Sequence, residues 1–310
     1  MRESCPACES KKHTTIYSCG FQQPPIHHYL ESYYGSRAEF KYLNGATYIL
    51  DKCNDCGLIF QREIPNDFSM KKLYEDWLAP SALCAQARKD STRTRTLLDY
   101  NARNTREVMM LIAYFNVDPE KLHFLDAGMG WGSWCQMAKV FGVNIYGIEL
   151  SQHLIELGQS KGINMITWDE LVGNSFDFIN TEQFFEHIGR PLETLRCLKK
   201  SLKTNGLIKI SVPDGSDIVR RLNVNDWTAP RGTKNSLDVV HPLEHINGYK
   251  RFSIIKMAKI AGLQEVKMPI WFQYAFSTNW RPVREMAKNL VRPLYYNVLQ
   301  KGTYLFFRSK

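Results

Sequence analysis

Apolar residues recur along this chain in two rhythms. Between residues 69 and 117 they return every three or four positions, at Leu73, Trp77 and Leu78 and then at Leu97, Leu98, Val108, Leu111, Ile112 and Phe115, which predicts helices. From His123 onward the rhythm changes: short apolar runs at 124–125, 143–148, 165–167, 176–181 and 206–212 alternate with helix-spaced stretches at 133–141, 152–161 and 192–202. Strand and helix in regular alternation predict a parallel sheet, so the expected fold class is α/β and Rossmann-like, with any ligand outside the carboxyl ends of the strands. Three more strand-like runs, at 14–19, 46–50 and 58–60, lie upstream and predict a small sheet of their own. Downstream, 252–261 has helix spacing. Val283, Met286, Ala287, Leu290, Val291, Leu294 and Val298 share one helical face, interrupted at Pro293, and 303–307 reads as a final edge strand.

The first strand of the alternating series runs into Asp126, and glycines follow at 128, 130 and 132 before the next helix. Glycine is needed where the backbone takes positive φ or where a ligand lies against it without a Cβ between, and the following helix offers unpaired N–H groups. The second run stops at Glu149, an acidic group placed to accept hydrogen bonds from both hydroxyls of a ribose. Such a turn also suits a dinucleotide. Here, however, Ser133 stands where the third glycine of that fingerprint would be, and Asp126 would crowd a pyrophosphate with negative charge. A cofactor carrying sulfonium and ammonium charges meets no such repulsion. The Asp126-x-Gly128-x-Gly130-x-Gly132 loop, with Glu149 behind it, resembles the first two motifs of the class I S-adenosylmethionine (SAM)-dependent methyltransferases. The resemblance covers residues 121–215 and implies SAM as cofactor, held by Asp126, Gly128, Gly130, Gly132 and Glu149. Gln183, just past the fourth strand, joins them. Asp169, past the third strand, is placed either to bond the adenine amine or to cap a turn.

Cys5-Pro-Ala-Cys8 and Cys53-Asn-Asp-Cys56 are two C-x-x-C knuckles with 44 residues between them. Each knuckle bends two thiolates toward one point, and two knuckles complete the tetrahedral shell that zinc accepts. Four thiolates leave no open position for water or substrate, so this zinc is structural. Cys19, Cys84, Cys135 and Cys197 lack partners at such spacing and are expected to be plain buried residues. The resulting domain plan is a zinc-ribbon-like module over 1–68, linking helices over 69–117 and the cofactor domain over 118–310.

With 310 residues, 44% hydrophobic, the chain holds ample material for a core, and a formal charge of +9 favours an acidic partner. No apolar run is long enough to span a bilayer and the first residues lack a signal-peptide core, so a cytoplasmic protein is expected. Arg88, Lys89, Arg93, Arg95, Arg103 and Arg106 make the linking segment basic, either as a solvated face or as an anion site. Arg281, Arg284, Lys288 and Arg292 surround the C-terminal apolar face. That helix packs on the core or on a twin subunit, or rests peripherally on an anionic inner membrane face. The module carries Lys11, Lys12, Arg37, Lys41 and Lys52 among its cations, which permits nucleic acid without favouring it.

Two histidine-bearing stretches complete the inventory. The fourth strand leads into Glu186-His187, and the loop after the fifth carries His241-Pro-Leu-Glu244-His245. With the four-cysteine module and the cofactor motifs, they resemble the sugar methyltransferases of deoxysugar and glycan pathways. In the zinc-bearing sugar C-methyltransferases of that group a Glu-His pair preceded by Tyr-His supplies the base, assisted by a histidine after the fourth strand. Carried over, Glu244 and His245 match the pair and His187 the earlier histidine, while Pro242-Leu243 replaces Tyr-His and favours transfer to a hydroxyl. His245 is the foremost candidate base, with His187 and His241 as the others and Glu244 as orienting carboxylate. The resemblance thus implies O-methylation of a sugar, nucleotide- or lipid-linked or on a glycan. C-methylation of a keto-sugar, methylation of a secondary metabolite and RNA methylation stay open.

Overall fold

A computed structural model describes residues 1–78, 93–275 and 301–310, together with isolated positions between 283 and 299. Cys84, Arg88, Lys89, Arg281, Arg284, Lys288, Arg292, Pro293 and Val298 lie outside the described residues. Among those described, no helix is long and apolar enough to cross a membrane.

The described strands, in chain order, are β1 His13–Gly20, β2 Thr47–Cys53, β3 Ile59–Gln61, β4 His123–Ala127, β5 Asn144–Ile148, β6 Asn164–Met165, β7 Phe176–Glu182, β8 Leu202–Ser211, β9 Asn247–Gly248, β10 Leu263–Val266 and β11 Tyr304–Ser309. They form two sheets, one in the order β1-β2-β3-β9 and one in the order β10-β11-β8-β7-β4-β5-β6. The chain divides accordingly. One unit combines Met1–Ala79, Gln183–Arg196 and Ser211–Gly262, and the other combines Pro80–Glu182, Cys197–Ile210 and Leu263–Lys310.

The first unit is therefore not the contiguous 1–68 module that the motif spacing suggests. β1 pairs antiparallel with β2, β2 with β3, and β3 with β9, a two-residue strand from nearly 190 positions downstream. Its core forms around the helix Ile26–Tyr34, whose Ile26, Leu30 and Tyr34 fall at i, i+4 and i+8 and are all buried. They pack in one cluster with Tyr48 and Leu50 of β2, Ile218 and Leu222 of the helix Ile218–Val224, and Leu243. Each fully buried apolar side chain contributes about 1.5–3 kcal/mol.

The second unit is the expected α/β sheet. β4 pairs parallel with β5 and β7, and β5 parallel with β6, so these four strands end at the same edge. Phe124, Ile145, Phe178 and Leu207 of the sheet share a core with Val108 and Leu111 of the helix Arg93–Phe115 and with Trp134, Cys135 and Ala138 of the helix Ser133–Val140. The last strand departs from expectation. β11 is not an edge strand: it lies between β10 and β8 and runs antiparallel to β10, which takes the edge.

Candidate active site

At the carboxyl edge of the seven-stranded sheet the chain leaves β4 and turns through Gly128, Gly130 and Gly132, at φ of 74°, 53° and 66°. Side chains rarely tolerate such angles, which explains the glycines. A Cβ on Gly132 would meet Ile163 Cδ1 at 2.8 Å, so close packing adds to its requirement, whereas nothing lies within 4 Å of the corresponding point on Gly130. Bare backbone therefore faces open space at Gly130. Glu149, one residue past β5, turns back to this loop: Oε2 accepts the Gly130 N–H at 2.9 Å, and Oε1 accepts those of Leu150 and Ser151 at 2.7 and 3.2 Å. A carboxylate offers about four acceptor sites, which leaves capacity for a hydroxyl.

Asp126 is directed elsewhere. Its carboxylate is buried and accepts from Asn180 Nδ2 at 2.8 Å and from the Cys135 thiol at 3.4 Å. Burial raises its pKa from 3.8 to about 7, against the opposing effects of Cys135, Lys209 and Asn180. The structure thus gives Asp126 partners inside the core, and gives Cys135 a donor role beyond filling space. Asp169 opens the 3-10 turn Asp169–Gly173 after β6 and is exposed. Gln183, exposed and at φ 48°, donates its N–H to Ser211 O at 2.7 Å and belongs to the other unit.

Sequence reasoning passed over the apolar residues beside the acids. Leu150 follows Glu149, Trp168 precedes Asp169 and Trp131 sits within the glycine loop, all three exposed. Large apolar side chains left in water at a sheet's ligand edge suit a flat ring, and their adjacency to the acidic positions was the available signal.

The histidines gather in the first unit. His187 and His245 stack edge to face with ring centroids 4.9 Å apart, and His241 lies 6.2 Å from His245. Every Nδ1 faces a main-chain carbonyl: His187 that of Glu244 at 2.9 Å, His241 that of Pro242 at 2.7 Å, and His245 that of Asp238. A carbonyl can only accept, so each Nδ1 carries the proton and each Nε2 keeps a lone pair. Burial pushes His187 and His245 down to about 3 and His241 to about 4, His245 also acting on His187, and His241 on His245. All three are neutral at physiological pH.

Glu244 does not orient His245. Its carboxylate accepts the Tyr34 hydroxyl at 2.6 Å and lies 3.7 Å from His241 Nε2, and burial raises its pKa against that hydrogen bond. Leu243, inside the second of the histidine-bearing stretches, holds φ 75°, a strained conformation for a branched apolar residue, and is anchored by burial. The acid that does converge with the imidazoles is Glu186, 1% exposed, which sequence reasoning left without a role.

The four cysteines also converge within this unit. Their sulfurs lie within 4.8 Å of one another, with Cys5–Cys56 at 3.5 Å and Cys8–Cys53 at 3.6 Å. Disulfides need about 2.05 Å, whereas a tetrahedron with Zn–S bonds of ~2.3 Å has edges of roughly 3.8 Å. The residue after each knuckle is left-handed, Gly57 at φ 73° and Glu9 at φ 61°, which folds the chain back over the sulfurs. The donor set fits zinc.

Residues 99–267, more than half of the chain, match the model of a family described as a methyltransferase domain. A ubiquinone biosynthesis O-methyltransferase of Dechloromonas aromatica (strain RCB) is 29% identical over 98 residues, 28% of this chain and 42% of that protein. The chain thus matches less than half of that relative's length. Similar solved structures include the plantazolicin methyltransferase BamL with a triazolic analog and SAH (15% identity, TM-score 0.47, 76% of this chain and 92% of that one). Magnesium protoporphyrin IX methyltransferase of Synechocystis PCC 6803 with SAH is another (16%, TM-score 0.45, 63% and 90%).

Proposed function

Because this chain belongs to the methyltransferase domain family, we propose that it is a SAM-dependent methyltransferase that transfers the methyl group to a hydroxyl of a sugar, in a nucleotide-linked precursor or on a glycan. The observation that carries the donor side is the Glu149 carboxylate held on the Gly130 N–H, beside backbone that no side chain covers. Glu149 takes the ribose, Leu150 and Trp168 the adenine ring, and the glycines the remainder of the cofactor.

On the acceptor side the reading is supported by the net charge of +9, suited to a phosphorylated substrate, and by the convergence of His187 and His245 in the same unit as the four thiols. Methyl transfer is an in-line displacement at the sulfonium carbon, so alignment does much of the work. The cluster of His187, His241, Glu244 and His245 serves the acceptor and promotes loss of its proton. Zinc in the four thiolates holds the knuckles and takes no part in chemistry.

A second acceptor class is favoured by a specific observation. The first unit contains a cavity of about 220 Å³ lined by Phe21, Leu43, Pro65, Leu73, Trp77 and Leu243, with Lys72 and Glu63 among the remaining lining residues. Such a lining suits an apolar or phenolic small molecule, and the name of the Dechloromonas relative points the same way. The test incubates the purified chain with methyl-labelled SAM and a panel of nucleotide-sugars, glycans, phenols and RNA. Label in a sugar hydroxyl supports the first reading, label in phenols alone selects the second, and label in RNA alone overturns both. The variant His245→Ala is expected to keep SAH affinity while losing turnover.

A further inference from the structure

Three side chains of the first unit, Glu186, His187 and His245, each present a ligand atom within 4.8 Å of the others. We propose that they form a second metal site, distinct from the four thiolates, that binds a divalent transition-metal cation such as zinc.

The geometry carries the assignment. Glu186 is 1% and His245 5% exposed, so this is no patch of solvated acids gathered by chance. Hydrogen bonds from Nδ1 to the carbonyls of Glu244 and Asp238 commit both imidazoles to the tautomer with the Nε2 lone pair free. Histidines that bind metals are oriented by this kind of outer partner, a carbonyl or carboxylate on the second nitrogen. His187 Nε2 lies 3.9 Å from Glu186 Oε1, so a cation drawn into the trio would meet both with small side-chain adjustments.

The spacing is also held from outside. Asn247 donates to the carbonyls of Phe185 and Ile188 at 2.9 and 2.8 Å, and Arg2 to those of Ile188 and Gly189 at 3.3 and 2.7 Å. Arg2 further reaches Ile246 O at 3.2 Å. The segments bearing His187 and His245 are therefore tied together on either side of the ligands before any metal arrives.

Two imidazoles and one carboxylate are a donor set that zinc and neighbouring divalent metals accept, and it leaves coordination positions for water or an acceptor oxygen. His241 stays outside, its Nδ1 on Pro242 O and its Nε2 toward Glu244. The binding claim does not depend on which acceptor is methylated. Where the cluster serves the acceptor, a bound cation would lower the pKa of a coordinated hydroxyl so that its proton passes to solvent water, whereas a metal-free imidazole would take that proton itself.

The experiment is a titration of the full chain, its thiol site loaded with zinc, with Co²⁺. One further equivalent should bind, with the weak visible bands of nitrogen and oxygen ligation and no thiolate charge-transfer band. His187→Ala and His245→Ala should abolish that equivalent, and Glu186→Gln should weaken it by at least the roughly 10–100-fold that loss of an outer partner costs, while SAH binding, measured separately, persists in all three. No bound cobalt in the wild-type chain, which needs no variant to interpret, would overturn the proposal. Cobalt bound equally well by the three variants would overturn it too.

Discussion

Replacing Lys209 by Met should cost the second unit about 3–5 kcal/mol. Lys209 is 1% exposed on β8, and its Nζ lies 2.7 Å from Glu107 Oε1 and 3.1 Å from Glu182 Oε2. Burial alone would lower its pKa, but the two carboxylates outweigh that and raise it. Glu182 also pairs with Arg103 at 2.6 Å, whereas Glu107 otherwise accepts from neutral donors, Trp134 Nε1 at 2.9 Å and the Tyr304 hydroxyl at 2.6 Å. Methionine fills the space and takes away the cation in direct contact, so the penalty comes mainly from the buried charge on Glu107, for which Arg103 remains as a nearby cation. For a unit of this size about 1 kcal/mol moves the melting temperature by roughly 2–4 °C, so calorimetry should register a fall of about 6–20 °C. Adding Glu107→Gln keeps the acceptor for Trp134 and Tyr304 while removing the stranded charge, and should recover at least half of the loss. A single variant within about 1 kcal/mol of wild type in urea unfolding, against the expected 3–5, would refute the reasoning. So would a double variant worse than the single one.

Other consequences are open to direct measurement. Glu149→Ala removes the acceptor proposed for the ribose and should weaken SAH binding by roughly 10–150-fold; calorimetric titration showing unchanged affinity would place the cofactor elsewhere. Asp126 has its folded-state pKa raised from 3.8 to about 7 by burial. The folded state thus keeps a proton that the unfolded chain releases, and stability from this group is lost as pH rises from 4 to 7, by at most on the order of 4 kcal/mol. Asp126→Asn should flatten that slope in urea midpoints, and an identical slope would remove Asp126 as its source. Stripping metal from the four thiolates should cost hydrogen-exchange protection in β1 to β3 while β4, β5 and β7 keep theirs. Protection retained in both sets of strands would show that the ribbon stands without metal.

The features legible in the amino-acid sequence were local. The glycine loop, the alternation of strands and helices from 123 to 212, and the paired knuckles each reside within a few consecutive residues, where sterics, periodicity and ligand spacing operate directly. Predicted strands at 124–125 and 176–181 became β4 and β7, and the helix at 152–161 became Gln152–Ser160. The imidazoles and thiols were likewise recognised by type.

Pairing at a distance was settled by the three-dimensional fold alone. Nothing in the two residues Asn247 and Gly248 announces a strand, because so short a segment carries no periodicity; it is β3 that makes them one. The insertion of β11 between β10 and β8 also depends on partners remote in sequence, since the side chains of an inner and an edge strand can follow the same pattern. The orientation of the histidines was illegible for a related reason: main-chain carbonyls, which every residue possesses, set their tautomers, and the fold alone chooses which carbonyl faces which ring. Glu186 stands beside His187 in sequence, but its meeting with His245 is a property of the folded chain.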